Sequence, residues 1–145
     1  MKHIKHLFWR RGRFAVVSDE LVGYMRRWML WTPWGTLRLH HILSSDDNRD
    51  LHDHPWDFAS LIVGRDWRDL LSALLGLTVT AGYTEHLPRG GRRWCPAGTV
   101  VRHLAADLHR LVLREPVYTL VVTGPVIRDW GFWSADAGWR SHRHA

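Results

Sequence analysis

From Ala15 onward the chain is a succession of short segments rich in β-branched and aromatic residues, each closed by glycine or proline. The first, "AVVSDELVGYMRRWMLWTPWGTLRLHHIL", is broken at Thr32-Pro33 and at Gly35. After a polar loop, "SSDDNRD" at 44–50, the stretch "HDHPWDFASLIV" alternates with period 2 and predicts one strand of about eleven residues. "LTVTAGYTEH" predicts another strand. "RLVLREPVYTLVVTGPVI" predicts two more, with a turn at Glu115-Pro116. Several short strands with turn signals between them predict an all-β sandwich or barrel. One segment departs from the rhythm. "RDWRDLLSALLGL", residues 65–77, sets Trp67, Leu70, Leu71, Leu74 and Leu75 at helical spacing before Gly76. It predicts a short amphipathic helix that packs outside the sheet, covers a cavity as a lid, or meets another subunit.

With 145 residues the chain is expected to form a single domain, 1–145, that buries about two thirds of its unfolded surface. No apolar run is long enough to span a membrane, and the N-terminus lacks the apolar stretch of a secretory signal. The lone cysteine, Cys95, permits no internal disulfide, so a reducing cytoplasm is the expected setting. Ten tryptophans point to an aromatic, sheet-rich core. The net charge of +6 collects in Lys2, Lys5, Arg10, Arg11 and Arg13 and in the closing "WRSHRHA". Because no nucleic-acid motif accompanies these charges, they read as solvated termini rather than a nucleic-acid surface.

The chemistry concentrates in "LHDHPWDF" at 51–58. On a strand, alternate side chains share a face, which puts His52, His54, Trp56 and Phe58 on the apolar side and Asp53 and Asp57 on the other. A metal ion is one partner that two buried imidazoles could share. Parity also places His109 with Leu111 and Leu113, and Glu85 with Tyr83. A carboxylate on an apolar face is costly unless it is paired or bound to a cation. The expected ligand set is His52, His54 and His109, with Glu85 as the weaker fourth, around a divalent iron, zinc, manganese or nickel ion.

The strand "HxH", a later glutamate and a later histidine resemble the metal site of the cupin superfamily, small double-stranded β-helix or jelly-roll proteins. The blocks "TPWGTLRLHHI", "LHDHPWDFASLI", "GYTEH", "LHRL", "YTLVVTGP" and "RDWGFW" are similar to those of small bacterial and phage cupin-like proteins, over a core of about Thr32–Trp133. The resemblance implies a cupin barrel with basic terminal extensions and an inserted helix near 65–76. Two departures stand out. Phe58 occupies the place of the family's first-motif glutamate, and "LAADLH" keeps the spacing to His109 without the family's proline and glycine. The alternative alignment on "PAG" puts Val101 where the histidine belongs.

Trp56, Phe58, Tyr83 and His40 are expected to shape the pocket. Arg102 is expected to steer an anionic ligand at its mouth. His103 reads as a loop histidine. Asp53 and Asp57 read as loop anchors or arginine partners, and Arg128 as a partner of Asp129 or Asp57. The sequence offers no His-x-Asp/Glu on one face, as an iron and 2-oxoglutarate oxygenase requires. It also has no phosphate loop, Gly-x-Ser-x-Gly or paired CxxC. A small metalloenzyme using Lewis-acid or dioxygen chemistry, a non-catalytic module for a small ligand, and a structural accessory protein all remain open. A homodimer is expected in each case.

Overall fold

The computed structural model describes residues 2–46 and 50–144, so the middle of the polar loop lies outside the described residues. The strands are β1 (His3–Arg11), β2 (Phe14–Leu21), β3 (Met25–Thr32), β4 (Gly35–Ile42), β5 (Leu51–His52), β6 (Phe58–Gly64), β7 (Gly82–His86), β8 (Arg92–Pro96), β9 (Val100–His103), β10 (Arg110–Leu113), β11 (Val117–Thr123), β12 (Gly131–Ser134) and β13 (Gly138–Ser141). The helix α1 (Trp67–Leu74) lies between β6 and β7. A seven-stranded sheet runs in the order β1-β2-β3-β4-β11-β6-β9. Two three-stranded sheets, β10-β7-β8 and β13-β12-β5, are joined by one antiparallel bridge between His52 and His109. Met25, Ile42, Ile62, Val101 and Val117 from the large sheet pack with Tyr83 and Cys95 from the β10-β7-β8 sheet as the buried core. The architecture is the expected all-β jelly roll with a short inserted helix.

Three local expectations need correction. "HDHPWDFASLIV" is not one strand. β5 ends at His52 in one small sheet, and the chain then crosses over Pro55 to start β6 in the large sheet at Phe58. Proline has no N–H to give a ladder, and here its carbonyl accepts from Ile127 N–H (2.8 Å) to hold the crossing. In "LTVTAGYTEH" only Gly82–His86 pairs as a strand. Residues 3–32 are not an appended extension, because β1, β2 and β3 continue the large sheet outward from β4.

The large sheet is apolar on its outward face as well. In register, Val16, Leu30, Leu37, Val122 and Ala59 form one row across it. Trp28, Leu39, Leu120, Leu61 and Val100 form the next. Val16, Trp28, Leu30, Leu37, Leu120, Val122 and Val100 are exposed. On β4 the usual sidedness is inverted: Leu37 faces out while Arg38 is buried.

The helix begins where Asp66 accepts a hydrogen bond from Arg68 N–H, an ordinary N-cap. Its buried anchor is Asp69, paired with Arg65 at 2.9 Å, while Trp67 and Leu74 stay 66% and 72% exposed. Gly64 turns the chain into the helix at φ 106°, and a Cβ there would stand 2.6 Å from that of Asp69. Gly64→Ala is therefore expected to lower stability by about 2–4 kcal/mol, combining backbone strain with a clash. Urea unfolding of the two proteins checks this.

Candidate metal centre

His52 and His109 face one another across the bridge, His52 N–H donating to the His109 carbonyl (2.8 Å) and His109 N–H to that of His52 (3.0 Å). Side chains of such a pair project to the same face. His54 lies two residues on, its N–H held by the Ala105 carbonyl at 3.0 Å. The residue between the histidines, Asp53, is a buried anchor. It accepts from Gly131 N–H (2.7 Å), Trp139 Nε1–H (2.8 Å) and Arg128 Nη1 (2.5 Å). The arginine-partner reading of Asp53 thus stands, but Arg128 pairs with it and not with Asp129 or Asp57. Asp57 instead accepts from Ala105 N–H at 2.7 Å.

One donor nitrogen from each of His52, His54 and His109 lies within 4.8 Å of the others. Behind His109 sits Glu85, which is fully buried. Its Oε1 accepts from His109 Nδ1 (2.9 Å) and His103 Nε2 (2.7 Å), and its Oε2 from Arg93 Nε (3.0 Å) and Nη2. An ionised carboxylate only accepts, so Nδ1 of His109 carries a proton, and in the neutral ring that tautomer leaves the lone pair on Nε2. That Nε2 is buried and has no hydrogen-bond partner, and neither has Nδ1 of His54. Buried polar atoms are seldom left unpaired, and two such nitrogens beside a third imidazole fit the donor set of a transition metal. Burial pushes the Glu85 carboxyl up, but the bonds from His103, His109 and Arg93 outweigh it and hold the group well below the usual range.

Glu85, His103 and His109 also bring donor atoms together. There the atoms already bond one another. His103 is the residue that sequence reasoning missed. It is no loop histidine but the buried end of β9. Alternation in "VVRH" puts it on the face of buried Val101, a readable signal.

The histidines open onto a cavity of about 560 Å³ lined among others by Tyr24, Arg38, His40, His52, His54, Trp56, Trp130 and Phe132. His40 and Trp56 are in the lining as expected. Tyr83 belongs to the core instead. Phe58 lies against the histidine rings, 4.6 Å from His54 and 5.2 Å from His103 between centroids. Arg102 is exposed in a separate shallow hollow with Asp107 and Val122, because parity turns it away from Val101. Among the cavity-lining residues none comes from α1, so the helix is not its lid.

No family model matches this sequence, and no curated protein matches it. Solved structures do. An uncharacterised double-stranded β-helix protein from Klebsiella pneumoniae superposes with a TM-score of 0.52 at 14% identity, over 78% of this chain and 87% of its own. An RmlC-like cupin from Shewanella frigidimarina gives 0.51 at 14% identity, over 74% and 81%. Iron(II) HppE gives 0.52 at 10% identity over 84% of this chain, which spans 56% of that longer protein. The fold is the double-stranded β-helix of these cupin structures. No helix of the described residues is long and apolar enough to cross a membrane.

Burial, followed by the charge of Arg27, pushes His40 down to about 3. Burial, followed by His109, pushes His52 down to about 4. Unfolded, both rings protonate near pH 6.5. Below that pH unfolding takes up protons, and stability falls by up to about 1.4 kcal/mol per pH unit for each ring until the folded values are reached. The metal-free protein is expected to lose urea resistance steeply between pH 6.5 and 4.5. His40→Gln should flatten part of that slope.

Proposed function

We propose that this chain is a mononuclear metalloenzyme acting on a small molecule, with His52, His54 and His109 as the protein ligands of a divalent transition metal. The observation that carries the reading is the convergence of the three imidazoles with two of their buried nitrogens unpartnered. HppE, which shares the fold, carries iron(II). A bound metal supplies Lewis acidity, or a site for dioxygen, at the positions the protein leaves open. Glu85 acts as the acceptor that fixes the tautomer of His109, since both of its oxygens are already engaged. Asp53 anchors the chain between the two histidines, and the Ala105 carbonyl holds the N–H of His54. Trp56 and Phe132 flank the histidines in the cavity wall, 5.1 Å from His54 and 6.5 Å from His52 between ring centroids.

Titrating metal-free protein with zinc should give one tightly bound ion per chain. His52→Ala with His54→Ala should abolish uptake. Glu85→Gln should weaken it by about tenfold to a hundredfold. Full uptake in the double histidine variant overturns the site.

The chain is proposed to work as a homodimer, joined through the outward face of the large sheet rather than through α1. The two apolar rows span six strands at roughly 4.8 Å spacing, a patch about 24 Å wide. Apolar patches of that extent mark interaction surfaces. A flat sheet face offers itself to an identical one about a twofold axis. Sedimentation at tens of micromolar, roughly the ordinary dimer range, should show a dimer that Leu37→Glu with Val122→Glu splits into folded monomers. A parent that sediments as a monomer overturns it.

A further inference from the structure

Arg38 stands out in the cavity wall. It is 8% exposed, and its Nε donates to Thr36 Oγ1 at 2.7 Å. Among the described residues no carboxylate pairs with it. The neighbouring Arg27 is already neutralised, with Nε and Nη2 on the two oxygens of Asp19 at 2.6 and 2.5 Å. Asp53 is likewise committed to Arg128. Asp46 accepts from Tyr24 and from Leu111 N–H and lies 3.6 Å from His52, on the histidine side of the cavity. Burial, then Arg27, lowers the guanidinium to about 10, which still leaves it charged near neutrality. A buried cation without an anion is costly. The arrangement therefore leaves one positive charge, with a planar fork of donors, facing the cavity.

The position of that fork is set by aromatic contacts. The guanidinium carbon lies 4.8 Å from the centroid of Trp56, and the Trp56 ring stacks on His54 at 5.1 Å. The arginine is thus no farther from the His54 ring than those two contacts end to end, a reach that a small ligand can bridge. Beside it, His40 presents a buried Nε2 without a partner. Leu21, Met25, Trp130 and Phe132 supply apolar walls.

We propose that the substrate is a small organic carboxylate with an apolar body, its carboxylate seated on Arg38 and its reacting group turned toward the three histidines. The second half of this assignment rests on the three-histidine metal reading, while the seat on Arg38 does not. A carboxylate is favoured over a phosphonate because one uncompensated charge is available, and because the planar guanidinium matches a planar carboxylate through two parallel hydrogen bonds.

The test compares benzoate, benzamide and phenylphosphonate by calorimetry on the full chain, metal-free and zinc-loaded. Metal-free protein should bind benzoate at least about tenfold more tightly than benzamide, in keeping with a charge-assisted seat. Arg38→Gln should erase that preference while zinc uptake stays at the parental level. Arg38→Lys should keep part of it, and carries the comparison if the glutamine variant does not fold. Equal affinity for benzoate and benzamide, or an undiminished preference in Arg38→Gln, overturns the seat. Tighter binding of phenylphosphonate than of benzoate overturns the choice of carboxylate. Zinc uptake reads the metal site separately: normal uptake with no benzoate preference removes the ligand class alone, and a benzoate preference without zinc uptake removes the metal reading alone.

Discussion

A single buried carboxylate sets the order of the site. Glu85 sits on β7 with no contact to water, and a charge in that position survives only if donors surround it. Arg93 comes from β8, His103 from the end of β9, and His109 from the residue before β10. Two strands of a small sheet and one of the large sheet are therefore committed to one side chain. Each histidine that donates to Glu85 has its tautomer chosen by that bond. For His109 the choice leaves Nε2 bare among the rings of His52 and His54. The polar network and the donor set are thus one arrangement, seen from its two ends.

Much of this was legible from parity. Glu85 beside Tyr83, and His109 ahead of Leu111, follow from period-2 counting, because neither segment bends before its functional residue. The same count put His52 and His54 together for an incomplete reason. The chain leaves β5 after His52 and crosses to the other sheet over Pro55, so His52 is held by the bridge to His109 and His54 by the Ala105 carbonyl, and not by one continuous ladder. His103 escaped because "HLAADLH" looks like loop, although the strand before it ends on the histidine.

Arg38 escaped for a different reason. On β4 the same alternation that places His40 in the pocket places Arg38 there too, but a charged residue among leucines reads as solvent-facing. Leu37 and Leu39 point away from the barrel, while Arg38 and His40 line its cavity. A strand that is apolar outside and polar inside inverts the usual pattern of a half-buried strand. Alternation alone cannot say which face is which. Arg102, with the opposite parity on β9, drew the attention that belonged to Arg38. The fold class depends on strand number and punctuation, which tolerate an inverted face.

The bridge between His52 and His109 has a mechanical meaning. The second layer of the barrel is two small sheets, and among the described residues that one pair of backbone bonds is the only ladder contact between them. It is a seam, and the imidazoles flank it on both sides. An ion held by His52 and His109 together would act as a rivet across the seam, so that loading the site also locks the two halves of the layer into one plate.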